Sequence, residues 1–273
     1  MEEKPKVGTA LMKVSDIKTQ FPVLVKGTSK ALEIIQEQLD AEDITIFSLE
    51  KISVVPGGVK LFQIKSPSGK TTTVAKLHGV ILLRRRMRAY WPDGQPLGQP
   101  PSCFSDDGKV GLGDISESGI IETRRCKVCP MAQFGSAMKK GKKKKGQGCQ
   151  LRNVLFFLRE GRNMPSIINA PPTSARAVQG FIMEKAGEEH YMHHLVTEFD
   201  CEHVEKNDDG EPYSIVGLTM VGVLDETLQT GANALNQAIK GLFSSTRIDA
   251  EVAQTILSDT PPEAPPVDDD NQA

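Results

Sequence analysis

Four cysteines in the middle of the chain have the residue type and the spacing of a zinc site. Cys126 and Cys129 are separated by two residues, which lets both thiolates bind one tetrahedral Zn²⁺. Two more ligands are needed, and residues 84–189 contain no histidine. Cys103 and Cys149 therefore complete the predicted set by elimination. Four thiolates leave no open position for a catalytic water, so the predicted zinc is structural.

Free core thiols and a redox pair are the alternative interpretations of the Cys126–Cys129 motif. The motif lies among arginine, lysine and proline residues, which are not typical of a core. A redox motif is expected to begin a helix after a strand in a βαβ pattern, and no such pattern precedes it. Cys201 lies in an alternating run of residues, so it is interpreted as a buried core residue.

A dense run of lysines follows the cysteine pair. Six of the seven positions from 139 to 145 are lysines, namely Lys139, Lys140, Lys142, Lys143, Lys144 and Lys145. Such a run repels itself and is expected to stay mobile unless a polyanion neutralises it. A solvated loop and a localisation signal are the alternatives. A metal-bound insertion would place these lysines reproducibly beside whatever the insertion faces.

A row of arginines precedes the insertion. If residues 84–91 are extended, Arg84, Arg86, Arg88 and Tyr90 share one face of the strand. Guanidinium groups ending in an aromatic ring are typical of a groove for single-stranded nucleic acid. Alternatively, the arginines pair with acidic residues and the aromatic rings cover the core. The predicted nucleic-acid-binding residues are Arg84, Arg86, Arg88, Tyr90, Trp91, Arg152, Phe156 and the six lysines.

Motifs of common enzyme classes are missing from the sequence. It contains no phosphate-binding P-loop, no dinucleotide fingerprint and no nucleophile elbow. The histidines at 190, 193 and 194 follow a predicted helix end, and a polar turn explains them better than a metal site does. We therefore predict a protein that is not an enzyme.

Strand-forming runs dominate the pattern around these residues. Short runs of β-branched and aromatic residues occur at 44–47, 59–64, 71–91, 151–158, 195–204 and 213–224. Helical spacing occurs at 32–39, at 175–185 after Thr173-Ser174, and from Leu235 to Leu257. The predicted fold class is α+β, mainly β.

Changes in composition suggest where the segments begin and end. Residues 1–94 hold the N-terminal helix and the first strands of a β-domain, and residues 95–150 form a basic zinc-binding insertion. Residues 151–228 complete the β-domain with one helix, and residues 229–258 form C-terminal helices. Residues 259–273 are a disordered acidic tail rich in proline.

Charge is strongly segregated although the chain is almost neutral. The 33 basic and 35 acidic residues give a net charge of −2. Residues 76–162 contain 18 basic and 7 acidic residues, whereas no lysine or arginine but seven acids follow Arg247. This pattern predicts a polyanion site in the basic segment and an acidic tail that competes for it.

No apolar stretch approaches the roughly 18 residues of a membrane helix, and no secretory signal precedes the first elements. We expect a soluble protein with no membrane partner, and the cysteine usage favours a reducing compartment.

Several of these features together resemble known single-stranded-DNA-binding proteins of bacteriophages and mobile elements, in particular the zinc-containing OB-fold type. The middle segment is also similar to a widespread family of uncharacterised phage and integrative-element proteins, and the likeness covers roughly residues 76–225. The motifs that carry it are Ser102-Cys103, Cys126-Lys127-Val128-Cys129-Pro130, Phe134-Gly135-Ser136, Gly148-Cys149 and Pro171-Pro172-Thr173-Ser174. The resemblance implies an OB-like antiparallel barrel with peripheral helices, acting in DNA replication or recombination in the cytoplasm of a bacterial host. A zinc-containing factor that docks a recombinase or polymerase is the alternative function.

Overall fold

The computed structural model describes residues 11–25, 37, 49–96, 99–116, 118–207 and 210–245. Within these ranges the fold is mixed α/β and mainly β. The helix predicted at 32–39, apart from residue 37, the strand at 44–47, the last part of the C-terminal helices and the acidic tail lie outside the described residues. None of the described helices has both the length and the apolar composition needed to cross a membrane.

Thirteen strands and four α-helices occur in the described ranges. The strands are β1 Lys51–Val54, β2 Phe62–Lys65, β3 Thr71–Val74, β4 Leu77–Tyr90, β5 Cys103–Ser105, β6 Val110–Gly113, β7 Glu122–Arg125, β8 Met138–Lys139, β9 Lys142–Lys143, β10 Cys149–Arg159, β11 Ser166–Ala170, β12 Leu195–Lys206 and β13 Pro212–Val223. The helices are α1 Val14–Gln20, α2 Pro22–Val25, α3 Ala175–Gly187 and α4 Glu226–Ser245.

The described residues divide into two compact units. Arg86–Arg152 belongs to the second unit, and the described residues on either side of this range belong to the first. The chain passes from one unit to the other within β4 and returns within β10. All four cysteines of the predicted zinc site lie in the second unit.

The first unit contains one mixed sheet in the order β3-β2-β1-β11-β10-β4-β12-β13. β1 runs parallel to β11, whereas β1 and β2, β2 and β3, and β12 and β13 pair antiparallel. Among the described strands no pairing joins β13 back to β3. The predicted antiparallel OB-like barrel is therefore not formed, because the described sheet is mixed and stays open.

Aromatic and aliphatic side chains of this sheet form the core of the first unit. Phe157 and Phe199 pack edge to face with their ring centroids 4.7 Å apart. Ile52 and Ile168, from the two parallel strands, join the same buried cluster. Cys201 is fully buried there, as the alternating pattern predicted, and burial raises the pKa of its thiol to about 12.

The hydrogen bonds at the N-terminus of helix α3 differ from the predicted ones. The sequence predicted that Thr173-Ser174 caps the helix, but the side chain of the N-cap residue, Ser174, makes no capping bond at the N-terminus. The Ser174 hydroxyl instead accepts a 2.9 Å hydrogen bond from the Val216 amide of β13. The buried serine therefore links the helix start to the sheet, which satisfies a strand amide in the core.

Candidate metal centre and basic hairpin

Short strands of the second unit bring Cys103 and Cys126 to the same place. Cys103 begins β5 and pairs with Tyr90 of β4 on one side and Gly113 of β6 on the other. Cys126 follows β7, and its amide donates a 2.7 Å hydrogen bond to the Lys109 carbonyl before β6. A Cβ atom on Gly111 would lie 3.1 Å from Cys103 Sγ and 3.6 Å from Cys126 Sγ. The two sulfurs therefore lie on the same side of β6, against a residue that has no side chain.

The CxxC motif forms a tight knuckle of two consecutive 3-10 turns. The Cys129 amide donates to the Cys126 carbonyl at 3.3 Å, and the Ala132 amide donates to the Cys129 carbonyl at 3.1 Å. The side-chain amide of Gln133 donates to the carbonyls of Lys127 and Cys129 at 3.1 and 3.2 Å. This network fixes the backbone on which both sulfurs of the motif are carried.

The fourth cysteine reaches the same cavity from the strand that leaves the unit. Cys149 is the first residue of β10, and Arg88 Nη1 donates a 3.2 Å hydrogen bond to its carbonyl oxygen. All four cysteines are buried and line one cavity of about 10 Å³. That volume holds roughly one water-sized sphere, so the cavity suits a single ion.

Electrostatics in this cavity disfavour thiolates that have no cation beside them. Burial, with the neighbouring sulfurs adding to it, raises the pKa of Cys103 to about 11 and that of Cys149 to about 12. Burial also raises the pKa of Cys126, although Ser105 and Arg88 oppose the rise. The thiols of Cys103 and Cys149 are therefore protonated at neutral pH, and a metal ion would bind by displacing their protons.

The donor set fits zinc in its chemistry. Four sulfur donors around one small cavity match the all-cysteine class of structural zinc sites. In the part of the chain that the structure describes, no three His, Cys, Asp or Glu side chains already stand as a ready metal-ligand set. Rotation of the cysteine side chains within the cavity would have to bring the sulfurs to the Zn–S distance of about 2.3 Å.

The lysine run forms a β-hairpin. β8 pairs with β9, and the turn between them is formed by Lys140 and Gly141 with φ of 52° and 73°. Two successive positive φ angles are typical of a type I′ hairpin turn. The Asp93 carboxylate accepts hydrogen bonds from both turn amides, at 3.0 Å from Lys140 and 2.6 Å from Gly141. These two bonds hold the pKa of Asp93 below its usual value.

The hairpin concentrates positive charge. Lys139 and Lys142 are direct cross-strand neighbours, an arrangement in which like charges are destabilising. The sequence from Cys126 to Cys149 contains seven lysines and no aspartate or glutamate. Five of the six lysines of the run are exposed, and Lys144 is half-buried. Positive charge is therefore concentrated on both strands of this hairpin.

The arginine row of β4 does not form a continuous exposed face. Arg84 lies in the first unit, where its Nε donates a 2.8 Å hydrogen bond to Asn153 Oδ1. Arg88 and Tyr90 line the cysteine cavity. Arg86 is the exposed member of the row. Alternation along the strand was predicted correctly, but part of the predicted binding face lines the cysteine cavity.

The other predicted contact residues are less accessible than expected. Phe156 is 0% exposed, so its ring is not presented to a base, and Arg152 is buried and bonded to Gln150. Trp91 is half-buried and donates a 3.1 Å hydrogen bond to the Gln99 carbonyl. The sequence could not separate core from surface here because β10 is apolar on both faces.

The histidine pair before β12 is part of a polar cluster. Nε2 of His193 and Nε2 of His194 lie 2.7 and 3.0 Å from the same Asn233 side-chain oxygen. Burial lowers the pKa of His193. A hydrogen-bonded turn, as predicted, accounts for these residues.

Comparisons of the chain with protein-family models, with curated proteins and with solved structures found no match. The function is therefore inferred from the geometry and charge of the second unit itself.

Proposed function

We propose that the protein is a non-catalytic, zinc-containing single-stranded nucleic-acid-binding protein that acts on DNA in the replication or recombination of a phage or mobile element. The observation that carries the proposal is the lysine hairpin, which belongs to the four-cysteine module. The sequence has no acidic residue between Cys126 and Cys149. In this proposal Cys103, Cys126, Cys129 and Cys149 hold one structural Zn²⁺, and the module is an insertion in the β-sheet domain.

Phosphate neutralisation is the proposed source of affinity. Lysines that contact phosphates release condensed counterions, which makes binding favourable and strongly dependent on salt. The type I′ turn and its two bonds to Asp93 fix the hairpin backbone, so the ammonium groups start from defined positions. Exposed Arg86 adds a further cation in the same unit. Bound zinc stabilises the second unit, in which the apolar core is small.

Single strands are the proposed ligand because the segment from Cys126 to Cys149, which holds the lysines, also exposes the aromatic ring of Phe134. Combined stacking and phosphate contacts are typical of proteins that bind single strands. A two-stranded β-ribbon can also enter the major groove of duplex DNA. The relative affinity for the two forms therefore tests the proposal.

A fluorescence-anisotropy titration of the full chain with single-stranded DNA, duplex DNA and RNA oligomers at two salt concentrations is the direct test. We expect single strands to bind most tightly. If six phosphates are contacted, affinity should fall by roughly 10²- to 10³-fold between 50 and 200 mM salt. Equal affinity for duplex and single strands would contradict the proposal.

Exposed apolar residues on the β6–β7 hairpin favour a second candidate function. Val110 and Leu112 of β6 and Ile121 before β7 are all exposed. An apolar surface on a zinc module suits a protein-interaction factor that docks a recombinase or polymerase. This candidate predicts weak binding of naked oligomers and a stable complex with one protein partner.

Removal of the acidic tail is expected to tighten nucleic-acid binding. The tail lies outside the described residues, and this part of the proposal comes from charge: residues 259–273 carry five acids and no base. Deleting them should raise affinity by roughly threefold to tenfold at low salt and by less at high salt, because screening weakens the competition. Anisotropy titrations measure the effect.

A chain with the five tail acids changed to asparagine or glutamine keeps the tail length and serves as the matched comparison. It should bind as tightly as the truncated chain. Unchanged or weaker binding by both variants would show that the tail does not compete for the basic hairpin.

A further inference from the structure

Phe134 is unusually exposed for an aromatic residue. Its side chain is 82% exposed, the highest value among the large apolar side chains that the structure describes. It lies in the segment from Cys126 to Cys149, which has no acidic residue. A phenylalanine in this setting contributes little to the core, so its position calls for another explanation.

The backbone around Phe134 is held firmly although the ring is not packed. Before it, Gln133 bonds to the carbonyls of the cysteine knuckle. After it, the Gly135 amide donates to the carbonyls of Lys145 and Gly146 at 3.0 and 2.9 Å. The Ser136 hydroxyl lies 2.6 Å from the Gln133 carbonyl and accepts a 2.9 Å bond from the Gly148 amide. The ring is thus presented to solvent from a backbone fixed on both sides.

Phe134 lies on the same two chain segments as the lysine hairpin. It forms an antiparallel bridge with Gln147, and the hairpin pairs Met138 with Lys143 further along the same two chain segments. Four residues of chain span at most about 13 Å, and the turn at Gly135 shortens this distance. Phe134 is therefore at the base of the hairpin, within a few nucleotides' length of its lysines.

We propose that Phe134 is a base-stacking residue of the nucleic-acid site, and that the hairpin lysines bind the phosphates flanking the stacked base. This inference rests on the function proposed above. Every base has a π-face, so the contact is tolerant of sequence and requires a single strand whose bases are unpaired. A protein partner fits this spot less well, because covering the ring with an apolar surface would desolvate the neighbouring ammonium groups.

Phe134→Ala in the full, zinc-loaded chain is the test, measured by anisotropy with a single-stranded DNA oligomer. We expect the affinity to fall about 5- to 150-fold, the range of one lost stacking contact. The dependence of affinity on salt should not change, because no phosphate contact is removed. Phe134→Trp should restore binding, since the larger ring also stacks.

Two comparisons separate stacking from a general disturbance. Tyr191→Ala removes an aromatic ring that is 67% exposed in the first unit, and Val128→Ala removes an exposed apolar side chain from the knuckle; both should bind as the wild type does. An abasic oligomer of equal length should bind the wild type and Phe134→Ala equally, because it offers no base to stack.

The outcomes distinguish this inference from the function it rests on. If the wild type binds single strands and Phe134→Ala binds equally well, the stacking role is wrong and the function stands. A loss that is as large with the abasic oligomer also overturns the stacking role. If the wild type binds no single-stranded DNA, both proposals fail.

Discussion

Replacing Cys126 with serine is expected to abolish zinc binding and to unfold Arg86–Arg152 while the first unit keeps its fold. Removing one of four thiolate ligands breaks the tetrahedral set, and structural zinc supplies folding free energy directly. Zinc-finger peptides gain about 10–16 kcal/mol on binding the metal at neutral pH. We expect bound zinc to fall from one ion per chain to none, and amide exchange to accelerate within the second unit only.

The small core of the second unit explains why the effect should be so large. Besides three of the cysteines, its buried apolar cluster contains Ile115 and Ala132, with Tyr90 and Met131 partly buried against it. This is little apolar surface for 67 residues to bury. The first unit has the larger cluster around Phe62, Phe157 and Phe199, which involves no metal.

Cys201→Ala provides the matched control, since Cys201 is also a buried cysteine but lies in the first unit. This variant should keep one zinc ion per chain. Elemental analysis of both variants measures how many zinc ions each chain holds. A Cys126→Ser chain that still holds one zinc ion with unchanged amide exchange would show that the four cysteines are core thiols.

Zinc affinity should also depend on pH in a defined direction. Burial raises the pKa of Cys103 to about 11 and that of Cys149 to about 12, so both thiols carry protons in the metal-free protein near neutral pH. Zinc must displace these protons, and its affinity should therefore rise as the pH rises from 6 to 8. Proton release on zinc addition, measured in a weakly buffered solution, reports the same step.

Local sequence patterns predicted the elements in which hydrogen-bonded residues lie close together in the sequence. The β12–β13 hairpin and helix α3 were found because alternation and helical spacing are visible within a dozen residues. Strands β1 and β11 were missed. They pair in parallel across more than a hundred residues, and β11 is buried throughout although it contains serine and asparagine. The buried Ser166 is satisfied by Glu50, a contact that no local pattern contains.

The gathering of the four cysteines was easier to predict than the surface around them. Cysteine spacing and the lack of nearby histidine limited the predicted ligands to four residues that the structure places around one cavity. The shape of the lysine run depends on Asp93, which lies 47 residues before Lys140. The position of Arg88 against Cys149 depends in turn on how the insertion folds back onto β4. These long-range contacts decide which cations are exposed.

Changing Lys139, Lys142 and Lys143 together to glutamine is expected to weaken nucleic-acid binding on the order of 10²-fold at low salt. Each lysine that leaves a phosphate contact reduces the slope of log affinity against log salt by about 0.7 for a single strand. The triple change should therefore reduce the slope by about 2. Anisotropy titrations at four salt concentrations give both the affinity and the slope.

The triple variant is expected to keep its fold, which separates a loss of phosphate contacts from a loss of structure. Lys139 and Lys142 face each other across the hairpin, where their like charges repel each other. The turn amides that bond to Asp93 belong to the backbone, so glutamine side chains leave those bonds in place. The variant should keep its zinc and a thermal midpoint close to that of the wild type.

A chain with Lys60, Lys65 and Lys70 changed to glutamine carries the same change in net charge on exposed positions of the first unit. If the hairpin is the phosphate-binding surface, this control keeps both the affinity and the salt slope of the wild type to within about twofold, because these three lysines make none of the proposed phosphate contacts. Equal losses from the two triple variants would mean that net charge drives binding. The hairpin would then have no special role, and its paired lysines would need another explanation.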